Sequence, residues 1–182
     1  MSLAPVIAVV GPSGVGKDSV MDALVMRVPG IHRVRRVVTR PEGEEGEAFE
    51  RVSVDEFRKM EREGAFALSW AAHGLMYGVP TKIRDQRCDA QAVLVNLSRG
   101  VLLRAQEVFG ELIVISLTAD EDILARRLSA RARESAGEQK RRLVRAAVPL
   151  PEGLSRVIEV DNSGALEGTI SEILLRLQAE RA

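Results

Sequence analysis

Short runs of apolar residues stand out against the polar background of this chain. Residues 6–10, 92–95 and 112–117 are almost continuously apolar, and residues 156–160 form a further candidate strand. Continuous apolar runs of this length are typical of strands that are buried on both faces of a parallel sheet. We therefore predict that these segments form the strands of such a sheet.

Between these runs, apolar residues recur at the spacing of helices. Capping boxes at residues 53–56 and 118–121 predict two helix starts, the first helix ending near Gly64. Strands that alternate with helices predict an α/β fold, with a parallel sheet covered on both faces. The apolar positions of the other helices are Val20, Met21, Leu24, Val25 and Val28, then Val101, Leu102, Ala105, Val108 and Phe109, and finally Leu166, Ile170, Ile173, Leu174 and Leu177.

A glycine-rich loop lies between the first strand and the first helix. Glycines allow successive backbone N–H groups to face phosphates, the helix N-terminus adds partial positive charge, and Lys17 supplies a point charge. Strand, loop and helix in this order predict a site for a nucleoside triphosphate. The residues predicted to bind it are Gly11, Pro12, Ser13, Gly14, Val15, Gly16, Lys17, Asp18 and Ser19.

Asp18 departs from the usual pattern of this loop. Most such loops have Ser or Thr here, and the hydroxyl is a ligand of Mg²⁺. A carboxylate is also a hard oxygen ligand, but beside a triphosphate it would repel the ligand unless a metal lay between them. We predict that Asp18 binds Mg²⁺; the alternative is that it complements the helix dipole.

Composition limits the other possibilities. The chain has 182 residues, 46% of them hydrophobic, and 26 basic against 26 acidic residues. The length predicts one domain. The equal numbers of basic and acidic residues predict no general attraction to nucleic acid or membranes. The lone cysteine, Cys88, excludes an intramolecular disulfide, and residues 1–5 lack the basic start of a secretory signal. We expect a cytoplasmic protein.

Two segments interrupt the alternation of strands and helices. Residues 31–89 are polar and glycine-rich and contain Trp70 and Tyr77, while residues 128–147 are rich in arginine. We predict that both segments are lobes appended around the phosphate site. The core would then comprise residues 1–30, 90–127 and 148–182. For residues 128–147 the alternative is a pair of solvated helices with alternating charges.

Short motifs are spread along the whole chain, at residues 16–19, 36–41, 67–70, 73–79, 95–99, 131–134, 142–146 and 161–164. Together they resemble guanylate kinases, and more closely the ribose 1,5-bisphosphate phosphokinases of phosphonate metabolism. The resemblance implies a three-layer nucleoside-monophosphate-kinase fold, with residues 31–89 as the acceptor-binding lobe and residues 128–147 as an arginine-rich lid. It also implies ATP-dependent phosphorylation of ribose 1,5-bisphosphate to 5-phosphoribosyl 1-diphosphate (PRPP), with Mg²⁺. One departure is Ala132, where the family usually has Gly.

The residues themselves favour the phosphokinases over guanylate kinases. Guanylate kinases bind the base through two carboxylates, and Ser69 and Val95 stand at those positions here. A site that lacks acceptors for the donors of a base rejects that base. At the end of a predicted strand stand Asn96, Ser98 and Arg99 instead, and their donors suit a sugar bisphosphate.

The resemblance also implies roles for individual residues. Lys17 and the lid residues Arg131, Arg133 and Arg142 would stabilise the transferring phosphoryl group, and Asn162 would border the adenine. Residues predicted to bind the acceptor are Arg36, Arg40, Tyr77, Asn96, Ser98 and Arg99. For Arg36 and Arg40 the alternative is a solvated charged edge, and Trp70 is expected to lie in the core.

Two other functions remain open at this point. The first is a guanylate or other nucleoside-monophosphate kinase, which Ser69 and Val95 disfavour. The second is a non-catalytic binding module of the guanylate-kinase type. Such modules typically have a degraded phosphate loop, whereas Gly16 and Lys17 are intact here.

Overall fold

Strands and helices alternate along most of the described chain. A computed structural model describes residues 3–41, 48–130 and 148–179. The strands are β1 (Val6–Val10), β2 (Ile31–Arg33), β3 (Val37–Val38), β4 (Glu50–Arg51), β5 (Phe66–Ala72), β6 (Leu75–Pro80), β7 (Ala92–Asn96), β8 (Leu112–Thr118) and β9 (Val157–Asp161). The α-helices are α1 (Lys17–Arg27), α2 (Val54–Arg62), α3 (Ile83–Asp89), α4 (Leu102–Phe109), α5 (Glu121–Ala130) and α6 (Leu166–Ala179).

The predicted parallel sheet is confirmed. Five strands pair in the order β2-β7-β1-β8-β9, and every neighbouring pair is parallel. All four strands predicted from apolar runs are present, with ends within one residue of the predicted ones. β1 lies in the centre, so the loop that follows it opens at the middle of the sheet edge.

Helices cover both faces of this sheet, as the α/β prediction requires. Along β1, Ile7 and Val9 pack against residues of α1 and α6, whereas Val6, Ala8 and Val10 pack in the cluster that includes α3 and α4. This alternation follows from the two-residue period of a strand. The result is a three-layer core.

A second sheet lies within the segment predicted as the acceptor lobe. Its order is β4-β3-β6-β5, and β5 and β6 form an antiparallel hairpin. The two-residue turn uses His73 and Gly74, which both have positive φ (54° and 76°), as tight hairpin turns require. The lobe prediction began at residue 31, but β2 belongs to the parallel sheet. The proposed division into core, lobe and lid otherwise stays a prediction.

The two capping boxes have different outcomes. Ser53 precedes α2, and its hydroxyl accepts a hydrogen bond from the Glu56 N–H at 3.2 Å, as predicted. The prediction for Thr118 is wrong: it is the last residue of β8, and α5 begins only at Glu121. Strand pairing of Thr118 with Asp161 takes precedence over local capping. Among the described helices, none has both the length and the apolar composition needed to cross a membrane.

Candidate active site

The glycine-rich loop joins β1 to α1 and has the shape of a phosphate-binding loop. Gly16 has φ of 97°, and a Cβ there would lie 2.8 Å from the side-chain nitrogen of Asn162, so only glycine fits. The Lys17 ammonium donates hydrogen bonds to the carbonyl oxygens of Gly11 (2.9 Å) and Pro12 (3.1 Å). The ammonium group of Lys17, the predicted phosphate-binding lysine, therefore lies against the backbone of the loop.

The Asn162 side chain stabilises this loop through hydrogen bonds. Its side-chain nitrogen donates to the Val15 carbonyl at 2.7 Å, and its side-chain oxygen accepts from the Thr169 hydroxyl at 2.7 Å. Arg127 donates to the same Val15 carbonyl (3.2 Å) and to the Asn162 carbonyl (2.9 Å). Asn162 is 4% exposed. Its amide thus supports the loop, a role that sequence reasoning assigned to neither Asn162 nor Arg127; that Asn162 borders the adenine stays a prediction.

We expect Asn162→Ala to lower the free energy of unfolding by about 1–3 kcal/mol and to weaken nucleotide binding. The substitution leaves the buried Thr169 hydroxyl with only the distant Asp161 carbonyl (3.5 Å) as acceptor and removes one donor from the Val15 carbonyl. Urea denaturation measures the first effect. Gln178→Ala, which removes an exposed amide from α6, is the matched control and should change stability by less than about 0.5 kcal/mol. Equal stability of the two variants would contradict the bracing role.

Asp18, the predicted metal ligand, forms an ion pair with Arg33 of β2. Arg33 Nη2 lies 2.5 Å from Asp18 Oδ1, and Arg33 Nη1 binds Asp22 one helical turn further along α1. Burial opposes the charge of Arg33, but its hydrogen bonds to Asp22 and Asp18 and their negative charges outweigh this, so the pKa of Arg33 is raised. The Asp18 side chain is 38% exposed, so it remains accessible.

Sequence reasoning missed Arg33, although a signal was present. Asp18 and Asp22 are four residues apart on one helix, and like charges at this spacing destabilise a helix. Such a pair suggests a cation that bridges both carboxylates. The sequence offers many arginines for this role, and only the fold selects Arg33.

Three of the predicted acceptor residues are connected through Trp70. The rings of Trp70 and Tyr77 stack across the β5–β6 hairpin at 5.3 Å, and the Arg36 guanidinium lies 5.1 Å from the Tyr77 ring and 5.9 Å from the Trp70 ring. Trp70 Nε1 donates to the Ser98 hydroxyl at 2.9 Å. Arg36 is 5% exposed, so it is not a solvated edge residue. Trp70, expected in the core, is half-buried and links the second sheet to the loop after β7.

Arg40 has different neighbours. Its guanidinium lies 5.1 Å from the ring of Phe49, and Arg51 lies 5.5 Å from the same ring. Arg40 follows Thr39, which is fixed to Met76 of β6 by hydrogen bonds in both directions. The Arg40 guanidinium thus lies against Phe49, whereas that of Arg36 lies against Trp70 and Tyr77.

The remaining predicted acceptor residues lie at the carboxyl end of β7. Asn96 is the last residue of this strand and pairs with Val9 of β1, directly before the phosphate-binding loop. Ser98 follows, and Arg99 begins a short 3₁₀ turn. Burial lowers the pKa of Arg99, because its cation is partly desolvated. A partly desolvated cation beside this loop suits an anionic ligand.

Neither Ser69 nor Val95, at the positions where guanylate kinases have carboxylates, is itself acidic. Val95 is fully buried in β7 and offers no acceptor. The Ser69 hydroxyl, however, donates to the Glu61 carboxylate at 2.6 Å, so α2 places one acidic group beside this position. Sequence reasoning did not identify Glu61. An acceptor test with GMP is therefore needed.

Comparison with known proteins decides the family. No family model matches the chain, but curated relatives do. The protein of Ruegeria sp. (strain TM1040), named ribose 1,5-bisphosphate phosphokinase PhnN, is 55% identical over 98% of this chain and 94% of its own. The proteins of the same name from Agrobacterium fabrum (strain C58 / ATCC 33970) and Pseudomonas fluorescens (strain SBW25) are 42% and 44% identical, over 94% and 92% of this chain and 95% and 92% of their own.

The chain belongs to the ribose 1,5-bisphosphate phosphokinase family. The resemblance derived from the sequence is confirmed, and the family is favoured over guanylate kinases and over non-catalytic binding modules.

Solved structures confirm the P-loop kinase fold of this family member. A guanylate kinase from Anaplasma phagocytophilum has a TM-score of 0.70 at 21% identity, over 98% of this chain and 87% of that one. A gluconokinase from Sinorhizobium meliloti 1021 has a TM-score of 0.58 at 19% identity, over 98% of this chain and 94% of that one. At these identities the likeness shows the fold alone.

The three arginines predicted for the lid of this phosphokinase lie outside the described residues. Arg131, Arg133 and Arg142 fall within the interval 131–147. The helix before this interval does contact the phosphate-binding loop. From α5, Arg127 binds the Val15 carbonyl, and Leu128 packs against Gly14, where a Cβ would lie 3.2 Å from it. The role of the three arginines stays a prediction.

Proposed function

We propose that this protein transfers the γ-phosphoryl group of ATP to the 1-phosphate of ribose 1,5-bisphosphate, which gives PRPP and ADP. The observation that carries the proposal is the pairing of β1 with β7. This pairing sets the phosphate-binding loop beside Asn96, Ser98 and Arg99 at the carboxyl edge of one sheet. Open α/β sheets bind ligands at this edge. The family membership supports ribose 1,5-bisphosphate as the acceptor.

The acceptor side requires binding of two phosphates and a sugar, without a base. Arg36 and Arg99 are partly or fully desolvated cations, and Tyr77 and Ser98 contribute hydroxyls. We assign Arg36, Arg40, Tyr77, Asn96, Ser98 and Arg99 to this acceptor site. Arginine suits it because its planar guanidinium binds phosphate through two hydrogen bonds.

The reaction needs no general base. An oxygen of the 1-phosphate is already anionic, and it attacks the γ-phosphorus while the bond to the β–γ bridging oxygen breaks. Catalysis then consists of positioning and of neutralising charge. Lys17 would exchange its contacts with the loop carbonyls for phosphate oxygens, and Arg131, Arg133 and Arg142 would bind the equatorial oxygens. In this proposal residues 128–147 are the lid and close over the site.

The donor set around the loop fits Mg²⁺. Asp18 supplies a hard carboxylate oxygen, and no group of three potential metal ligands exists among the described residues. Mg²⁺ typically binds one or two carboxylates together with substrate phosphates and water, so a single carboxylate is sufficient. When bound, the metal neutralises charge on the phosphate oxygens.

An acceptor comparison tests the proposal. With ATP and Mg²⁺, we expect kcat/KM for ribose 1,5-bisphosphate to exceed that for GMP about a hundredfold or more, because Ser69 and Val95 stand where guanylate kinases have the two carboxylates that bind the base. Phosphorus NMR should show a new diphosphate at carbon 1. Efficient phosphorylation of GMP would support a nucleoside-monophosphate kinase instead. No turnover with any acceptor would support a binding module.

A further inference from the structure

A carboxylate occupies the first turn of α1, where phosphate-binding loops usually have a neutral hydroxyl. This change places a negative charge beside the site proposed for a triphosphate. Arg33 binds that carboxylate at 2.5 Å, and its other nitrogen binds Asp22. The pair of Asp18 and Arg33 therefore has the same net charge as the usual hydroxyl.

The position of Arg33 is fixed by the fold. Arg33 ends β2, where it pairs with Leu94 of β7, and the next residue, Val34, donates its N–H to the Leu94 carbonyl at 2.8 Å. Its side chain is only 13% exposed. A guanidinium held in this way loses little conformational freedom when it binds a carboxylate, and partial burial reduces the screening of its charge.

The contact also selects one oxygen of Asp18. Arg33 binds Oδ1, and Oδ2 has no hydrogen-bond partner within the part of the chain that the structure describes. Second partners of this kind orient carboxylates for metal binding. Oδ2 is thus the atom that remains for Mg²⁺.

We propose that Arg33 is a positioning residue of the nucleotide site, which neutralises Asp18 so that the phosphates of the nucleotide bind beside it and which leaves Oδ2 for the metal. This inference rests on the nucleotide site of the proposed function. It predicts that Arg33 matters most when no metal is present, because a bound metal would compensate the same carboxylate.

Calorimetric titration with ADP, in EDTA and in Mg²⁺, tests the proposal in a double-mutant cycle. In EDTA we expect Arg33→Gln to weaken ADP binding about tenfold to a hundredfold, because the Asp18 carboxylate then lies uncompensated beside the phosphates. In Mg²⁺ the loss should be smaller. Arg33→Gln combined with Asp18→Asn should bind ADP within a factor of about three of the unmodified protein.

Two variants separate this role from mere support of the fold. Arg33→Lys keeps the charge and should retain most of the affinity in EDTA. Asp22→Asn removes the second ion pair of Arg33. The Asp22 side chain is 63% exposed and lies one helical turn further from the loop than Asp18. This variant should therefore bind ADP nearly as the unmodified protein does. Thermal unfolding of each variant shows that it is folded.

Several results would overturn the proposal. It fails if Arg33→Gln binds ADP normally in EDTA, if Asp18→Asn does not restore binding, or if Asp22→Asn is as defective as Arg33→Gln. These results would leave the proposed function intact. Unmodified protein that binds no ADP, with or without Mg²⁺, would contradict the nucleotide site and this inference together.

Discussion

Lys17→Ala is expected to lower kcat by about a hundredfold to a thousandfold, the usual effect of removing one charged or hydrogen-bonding group that stabilises a transition state. In the transition state the transferring phosphoryl group carries negative charge on its oxygens, and the Lys17 ammonium at the loop would bind these oxygens. Initial rates with saturating ATP and ribose 1,5-bisphosphate measure the effect.

The fold should survive this substitution. Lys17 donates to the partly buried carbonyls of Gly11 and Pro12, and a water molecule in the space left by its side chain can donate to them instead. Lys59→Ala is the matched control, since Lys59 is an exposed lysine on α2 that forms a 4.0 Å ion pair with Glu63. Its kcat should stay within a factor of about two, because exposed ion pairs contribute little. Folded Lys17→Ala protein with nearly normal kcat would remove Lys17 from the catalytic machinery.

The parallel sheet could be predicted from the sequence because its strands are buried on both faces. Val6–Val10 and Leu112–Thr118 are nearly all apolar, which leaves little ambiguity about their environment. The hairpin β5–β6 was not predicted, since many of its residues are only partly buried and its turn is formed by His73 and Gly74 rather than by a stronger turn signal. Local pattern thus predicts the core better than the second sheet.

The phosphate-binding loop could be predicted because its chemistry is local. Gly16 and Lys17 are adjacent in sequence and act together. The bracing by Asn162 and Arg127 and the ion pair of Asp18 with Arg33 join residues that are far apart in the chain. Their partners are selected by strand order, which no single segment reveals.

Trp70 shows the same limit on the acceptor side. A lone tryptophan in an apolar stretch usually lies in the core, and its sequence neighbours do not indicate otherwise. Only the folded hairpin brings its ring against Tyr77 and Arg36 and its N–H to Ser98. One side chain therefore connects three residues that sequence reasoning had assigned to the acceptor site separately.

The loop after β7 is where nucleotide and acceptor sites meet, so a substitution there should separate the two substrates. Arg99 lies in the 3₁₀ turn three residues beyond Asn96, which pairs with β1. Lys17 and the loop amides lie on the other side of this pairing. An arginine on the acceptor side can thus be removed without direct loss of the loop's contacts.

Arg99→Ala should raise KM for ribose 1,5-bisphosphate about tenfold to a hundredfold and change KM for ATP little. A charge-assisted hydrogen bond to phosphate contributes about 1.5–3 kcal/mol, which corresponds to this range of KM. Steady-state kinetics with each substrate varied in turn gives both constants. Arg84→Ala, which removes an exposed arginine from α3, is the control and should leave both unchanged. If Arg99→Ala raised both KM values equally, Arg99 would not belong to the acceptor site, because a contact made only with the sugar bisphosphate cannot weaken ATP binding to the same extent.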